Sequence, residues 1–455
     1  MVMFESTNRR TEAVGFREAL FKGLAPDRGL YVPTEIPIFS RREIAAMGGK
    51  EYHEIAYRVM KKFVGREVSD RVLRSITRDA YDFDVPIERM GEGNIHVMRL
   101  DQGPTASFKD FAARMMARLM DHYSKGTGRK TAIHVATSGD TGSAIASAFH
   151  GLKNMKVIVL FPQGKVTALQ RKQMTTLGDN VIPIAVAGTF DDCQRLVKTA
   201  FADPELAKKL AGKYALSSAN SINIGRLIPQ IAYYFWAHSR LARPDEKIVF
   251  SVPSGNFGNI TAALMAKEMG LPVHKLVAAT NVNDSFHRFM QTAVYRPRET
   301  VQTLSNAMDV GAPSNTARIF HFHGGHMDEK GNVRRTPDKN ALKRTFYSTR
   351  VTDAATRAEI RRAYREHGMV LEPHGAVGSV GLRRLLRDNP EAAKYKAVVL
   401  ETAHPGKFPE VVKKETGVEL KAEALEKVKG KREHFRPMAN DYGQFKDFLG
   451  LTLGG

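Results

Sequence analysis

One cysteine, a shortage of acid and the absence of any long apolar run set the first limits on this chain of 455 residues. Its single thiol, Cys193, excludes an intrachain disulfide and fits a reducing compartment. With no Cys/His context around it, that thiol reads as an inert, semi-buried side chain rather than a nucleophile. No stretch approaches the roughly 18 consecutive apolar residues that a membrane span needs. The opening MVMFESTNRR places polar and acidic residues where an export signal needs an apolar core. These absences lead us to expect a cytoplasmic protein with no membrane partner. Acid is scarce too: 69 Lys and Arg against 48 Asp and Glu leave a formal charge of +21. Such a surplus raises nucleic acid as a partner. The basic residues, however, are scattered in short groups such as RRE and KKF, with no tail and no aromatic-interleaved stripe. The expectation is a solvated basic surface that attracts small anions, and no nucleic-acid partner.

What is present is ordinary for a globular chain, 42% hydrophobic and 26% charged, and long enough for two or three domains. Residues 1–95 alternate loop signals such as LAPDRGLYVP with helical patterns such as EYHEIAYRVMKKFV and VSDRVLRSITRDAYD, which predicts a mostly helical N-terminal unit. Beyond it the text changes to β-rich runs, Gly-rich loops and helical patterns. TAIHVA, TSGDTG and SAIASAFHGL lead to KVIVLF, and KIVFSV, PSGNFGN and ITAALMAKEMG lead to KLVAAT. MVLEPHGAVGSVGLRRLL and AVVLETAHPGKFPEVV repeat the pattern. These are βα units of parallel sheets, whose ligands sit at the carboxyl ends of the strands. From about 281 to 345 the periodicity fades into a covering insertion, and KAEALEKVKGKREHF onward reads as a basic helix with a tail. The expected segments are 1–95 (helical), 96–225 (smaller α/β unit), 226–410 (larger α/β unit) and 411–455 (C-terminal helix and tail).

Lys109, in GPTASFKDFAARMMARLM, stands where a helix begins, since Phe108, Phe111, Ala112, Met115, Met116, Leu119 and Met120 recur at helical spacing. Ser107 and Asp110 have the form of a capping box. A cation in a first turn meets the positive end of the helix dipole, which lowers its pKa and favours the free amine that forms a Schiff base. The other reading of this stretch is a tolerated surface lysine. PSGNFGN, between strand and helix, can cradle a phosphate with backbone N–H groups, or be a plain turn. It matches no nucleotide fingerprint, so a phosphomonoester suits it better. The hydroxyl-rich TSGDTG, with Thr137, Ser138 and Thr141, suits a carboxylate, or is only an N-cap cluster. His321, His323 and His326 alternate as on a strand, but no carboxylate or cysteine framework accompanies them and no metal site is expected.

GPTASFKD, ATSGDTGSAIASAF, SANSINIGRLIPQ, PSGNFGN and ETAHPGKFPEVV, in this order and behind FESTNRR and GLAPDRGLYVP, resemble the threonine synthases. These are pyridoxal-phosphate enzymes of the tryptophan-synthase-β-like fold (fold type II). The resemblance implies two open parallel-sheet α/β domains with the cofactor in the cleft between them. It implies a Schiff base between Lys109 and pyridoxal 5'-phosphate, and a cofactor phosphate held by Gly255, Asn256, Phe257, Gly258 and Asn259. Thr402 becomes the partner of the pyridine nitrogen, a neutral hydroxyl that cannot keep that nitrogen protonated as a carboxylate would. Thr137, Ser138, Gly139, Asp140 and Thr141 would bind the substrate carboxylate. Ser221, Asn223, Arg226, Asn315, Arg318 and Lys407 are candidates for the substrate phosphate and the pocket wall, or for purely structural roles.

The reaction so implied is O-phospho-L-homoserine and water to L-threonine and phosphate, the last step of threonine biosynthesis, in a monomer or homodimer. Since the family's text starts at Phe4, no cleaved leader is expected. Asn8, Arg28 and Ile224 depart from the family's usual residues at the N-terminus, in the APDGG-type loop and after SIN. Two alternatives remain, a serine or threonine dehydratase of the same fold and a basic nucleic-acid-binding protein. The long N-terminal unit and the SNTAR segment speak against the dehydratase.

Overall fold

Two sheets carry most of the apolar sequence; the computed structural model describes residues 2–125 and 130–454. The smaller sheet has five parallel strands, in the order Arg436–Ala439, Val181–Ala187, Met155–Pro162, Lys130–Ala136 and Tyr214–Ser218. MKVIVLFP, its longest strand, is almost continuously apolar because both faces are covered. Ile133, Val135, Val157 and Val159 enter the main core, while Ala132, Ile158 and Leu160 alternate into a second one with Leu196, Phe445 and Leu449. Cys193 lies buried in that second core, where burial pushes its thiol up to about 12, in keeping with an inert role.

The larger sheet runs Phe346–Arg350, Val273–Thr280, Ile248–Pro253, Lys396–Glu401, Ile95–Arg99 and Ile87–Arg89, parallel except for the last edge strand. The sheets therefore cut across the segments marked in the sequence. Residues 87–99 supply strands to the larger sheet, and the C-terminal stretch returns to the smaller one. There the expected tail contains the strand Arg436–Ala439, which pairs with Val181–Ala187, and the helix Tyr442–Gly454. A four-residue strand containing proline has too little periodicity to announce itself.

The N-terminal residues carry four helices joined by long loops, and a small strand pair, Phe4–Ser6 against Tyr31–Pro33. The helices Tyr52–Val64 and Asp70–Ala80 bury one apolar face each, the second capped by Ser69. Tyr52 and Tyr81 pack on Phe111 at 5.3 and 5.9 Å, and the Tyr81 hydroxyl donates to the Phe111 carbonyl at 3.1 Å. This buttresses the helix Lys109–Ser124 from behind. The segment 281–345 adds no strand to the larger sheet. It forms short helices and the pair His326–Met327 with Val333–Arg335, and its residues 307–310 cover the mouth between the sheets.

Candidate active site

Lys109 is the first residue of its helix, as its position in the sequence suggested. The capping box is not formed: Phe108, at the N-cap, has helical backbone angles and no side-chain cap is made. Asp110 is instead fully buried and turns back onto the preceding loop, accepting from the Thr105 N–H at 2.8 Å and the Thr105 hydroxyl at 2.6 Å. A Cβ on Gly103 would meet that carboxylate at 2.5 Å, so the loop closes only over glycine. The loop is tied to the ETAHP strand end as well, Phe108 N–H donating to the Thr402 carbonyl at 2.9 Å and His404 N–H to the Ala106 carbonyl at 3.1 Å. Lys109 and Thr402 are thus held at a fixed spacing by backbone bonds.

Burial lowers the Lys109 pKa; Asp140 opposes the shift and Lys407 and Arg226 add to it. The Lys109 ammonium stands 3.7 Å from one Asp140 oxygen. Lys407 stands 2.9 Å from the other, and both of these side chains are almost wholly buried. Gln170 donates to the same oxygen as Lys407, at 2.9 Å. Burial alone would raise the Asp140 carboxyl, but Lys407 and Lys109 hold it well below the usual carboxylate range. Thr137 fixes the turn that presents Asp140: its hydroxyl accepts from the N–H groups of Gly139 and Gly142 at 2.9 and 2.8 Å. Gly139 has φ 140, and a Cβ there would strike the Gln170 side chain at 2.7 Å.

Across the cleft, PSGNFGN links Ile248–Pro253 to the helix Gly258–Glu268, whose first-turn N–H groups have no intrahelical partner by construction. Phe257 takes the left-handed conformation, φ 60, and packs on Phe286 at 4.8 Å. Gly255 admits the covering segment, since a Cβ would meet Met308 Cα at 2.6 Å. The two asparagines differ. Asn256 is engaged in the wall, accepting from Ser314 N–H at 2.6 Å and donating to Ser221 Oγ at 2.7 Å. Asn259 accepts from the hydroxyls of Tyr233, at 2.6 Å, and Tyr234, while its Nδ2 has no partner among the described residues.

Lys109, Thr137, Ser138, Asp140 and Thr141 open on the same cleft as Ser221, Arg226, Thr402 and the loop from Gly255 to Asn259. The other candidates lie behind its wall. Asn223 donates to the carbonyls of Leu20 and Ser218 at 2.9 and 2.8 Å, tying the N-terminal unit to a sheet end. Arg318 is fully buried and spends its guanidinium on the carbonyls of Tyr31, Ser221 and Ile222 and on Asn315, at 2.6–3.1 Å. Burial lowers it to about 9. Asn315 donates to the Asn256 carbonyl at 3.0 Å, and Lys407 faces Asp140 rather than the cleft. Side chains that saturate their hydrogen bonds on backbone carbonyls shape a wall and have little left for a ligand. The three histidines also separate: His321 lies in the last turn of a helix and meets Glu5 at 3.3 Å, His323 bonds the Ile319 carbonyl at 2.8 Å, and His326 faces Asn8 at 3.3 Å. Among the described residues no cluster that could hold a metal is found.

Family models match the chain along most of its length. Residues 85–402 match the pyridoxal-phosphate-dependent enzymes, 3–81 the threonine synthase N terminus and 375–449 the threonine synthase C-terminal region. Threonine synthase from Pseudomonas aeruginosa is 40% identical over 427 residues, 90% of this chain and 89% of that one. Threonine synthase from Escherichia coli is 40% identical over 88% of both chains. The chain belongs to the threonine synthase family. A solved, cofactor-bound threonine synthase from Brucella melitensis superposes with a TM-score of 0.90 at 35% identity, over 100% of both chains. The yeast threonine synthase gives 0.88 at 28% identity, over 99% of both. Threonine deaminase from Solanum lycopersicum gives 0.52 at 18% identity, over 76% of this chain and 88% of its own, a likeness of fold alone.

The cofactor of this family is pyridoxal phosphate, and the residues present fit it. The buried amine of Lys109, Asn259 at a helix N-terminus with an unpartnered amide donor, and Thr402 all belong to the lining of one cleft. The positions that depart from the usual threonine synthase text leave this cleft intact. Asn8 bonds the Asp27 carbonyl and Glu329, Arg28 is exposed with φ 66, and Ile224 is buried at the start of a short 3₁₀ turn. Sequence reasoning missed Asn220, whose amide brackets Ala136 at the end of its strand, and also His374 and Asp309 in the cleft. HGAVG, expected as a loop after a strand MVLEP, instead forms the first turns of the helix Pro373–Asp388 with no strand before it, and its histidine was the available signal.

Proposed function

We propose that the protein converts O-phospho-L-homoserine and water to L-threonine and phosphate, as a cytoplasmic monomer or homodimer. The observation that carries this is the convergence of Lys109, the TSGDTG helix start, the PSGNFGN helix start and Thr402 on one cleft between the sheets. Pyridoxal phosphate, when bound there, supplies an electron sink for charge that develops beside the substrate Cα. Lys109 holds the cofactor and, released from it, takes the proton from Cα and then moves protons at Cβ and Cγ as phosphate departs from Cγ and water adds at Cβ. Its lowered pKa favours the free amine for the first transfer, and Asp140 steadies the ammonium that results. Asn259 and the backbone N–H groups of Gly255 to Gly258 hold the cofactor phosphate. Thr137 to Thr141 orient the substrate carboxylate. Arg226, buried at the cleft and brought to about 10 by burial, is with Ser221 our assignment for the substrate phosphate. Asn223, Asn315, Arg318 and Lys407 keep these groups in place from behind.

Purified protein loaded with pyridoxal phosphate is expected to release threonine and phosphate in equal amounts from O-phospho-L-homoserine. Formation of 2-oxobutyrate as the main product would overturn the assignment. Lys109→Arg keeps charge and fold but loses the visible absorbance of the lysine-bound cofactor, because a guanidinium cannot replace the amine. Borohydride reduction followed by peptide mapping places the label on Lys109; a label on another lysine contradicts the role.

A further inference from the structure

Three residues, Gln194, Asn256 and Val310, line both the cleft that holds Lys109 and the vestibule outside it, where Lys198 and Arg298 lie. They form the neck at which the two spaces join. Gln194 reaches it from the helix Phe190–Ala202, in which residues 190, 194 and 198 follow one another on a single face. Phe190 lines the cleft, Gln194 the neck and Lys198 the vestibule. The helix therefore runs along the way in, and its half-buried glutamine stands at the join.

Five amide side chains line the cleft, and only one of them is wholly free. Asn220 spends both ends on Ala136, accepting from its N–H at 3.3 Å and donating to its carbonyl at 2.7 Å. Gln230 donates to the Arg226 carbonyl and accepts from the Tyr233 hydroxyl at 2.9 Å. Asn256 is bound to Ser314 and Ser221, and Asn259 to two tyrosine hydroxyls, with its remaining donor at the helix start assigned to the cofactor phosphate. Gln194 has no partner for either end of its amide among the described residues. Amides withdrawn from water are ordinarily paired, so a free one on a ligand path is available to what passes there.

The position of Ser221 says which part of the substrate Gln194 meets. Its hydroxyl oxygen accepts from Asn256 at 2.7 Å, and Asn256 belongs to the neck, so a phosphate resting on Ser221 lies next to Gln194. Arg226, the other group assigned to that phosphate, has one nitrogen committed to the Ala219 carbonyl and its Nε unpartnered. A phosphate monoester presents three terminal oxygens, more acceptor sites than one hydroxyl and a partly committed guanidinium satisfy. We propose that Gln194 is a further substrate-binding residue, whose amide donates to the phosphate of O-phospho-L-homoserine from the neck side. This rests on the cleft being the site for that substrate. Being neutral, the amide adds a directed bond without adding charge, and it ties recognition of the phosphate to the smaller sheet's helix as well as to Ser221 and Arg226. Phosphate released into the vestibule passes the same donor.

The test uses the full-length enzyme loaded with pyridoxal phosphate and two ligands, followed by the visible absorbance of the cofactor. One is L-2-amino-5-phosphonopentanoate, in which a methylene replaces the ester oxygen of the substrate; the other is L-norvaline, the same chain without the phosphonate. Wild type is expected to bind the phosphonate more tightly than L-norvaline. Gln194→Ala should weaken the phosphonate about 10-fold, the loss of one hydrogen bond to a charged group, and leave L-norvaline and the melting temperature unchanged. Gln194→Glu should weaken it further, because a carboxylate then faces the phosphonate. Unchanged phosphonate affinity in both variants overturns the proposal. An equal loss for both ligands also overturns it, since displacement of the helix rather than a missing contact would then be the cause. Wild type that binds the two ligands equally well overturns instead the reading of the cleft as a site for a phosphorylated substrate, whatever the variants do.

Discussion

Lys109 reacts within a charge arrangement that only buried side chains can maintain. Asp140 lies between two lysines, and removing it leaves Lys407 as an unpaired cation with no exposed surface. Breaking a buried pair on one side costs about 3–5 kcal/mol, whereas replacing both partners costs much less. Asp140→Asn and Lys407→Met are each expected to lose stability of that order in urea unfolding. The double variant should lose less than the sum by roughly 1–3 kcal/mol; strict additivity would show that the pair is not coupled. Of these roles the sequence disclosed only part. Lys109 stood out through the resemblance of GPTASFKD and the other loops to the threonine synthases; its first-turn position alone left a tolerated surface lysine open. The burial that actually lowers its pKa was not legible, since Lys407 and Asp140 are 267 residues apart and meet only in the folded cleft.

At the scale of elements, strands and glycine-rich loops were legible because buried parallel strands are continuously apolar and their loops need glycine at specific contacts, as at Gly139 and Gly255. What escaped was pairing without periodicity: the proline-containing strand Arg436–Ala439, and Asp110 serving its own loop instead of a capping box. The strand Lys130–Ala136 carries a further consequence. His134, fully buried against the rings of Phe201 and Phe445, is lowered by burial from 6.5 to about 4. The unfolded chain binds a proton there as pH drops below 6.5, while the folded chain does not until about 4. The stability contributed by the neutral ring is therefore complete above the higher value and lost as acid is added, to a total on the order of 3 kcal/mol. Denaturant midpoints of wild type between pH 7 and 4 should fall more steeply than those of His134→Leu. Parallel slopes would rule out this histidine as a source of acid lability.

For the whole molecule, the surplus of +21 acts where the cleft meets solvent. A vestibule of about 560 Å³ adjoins Asn256, and its lining includes Arg28 from the N-terminal unit, Arg195 and Lys198 from the helix Phe190–Ala202, and Arg298 from the covering segment. Asp191 is the one acid in that lining among the described residues, while Arg298 pairs with Asp284 at 3.1 Å and Arg195 with Asp192 at 3.6 Å. Cations drawn from three parts of the chain onto one opening concentrate an anionic substrate at its mouth, and salt weakens them because they are exposed. Between 20 and 300 mM salt, kcat/KM for O-phospho-L-homoserine is expected to fall about 3- to 10-fold, with kcat nearly constant. Lys198→Glu should lower kcat/KM several-fold at low salt and flatten that dependence, again without changing kcat, since Lys198 touches none of the reacting groups. A salt slope unchanged by the reversal would place the attraction in the buried cations, Arg226 above all, and leave the vestibule as a passive entrance.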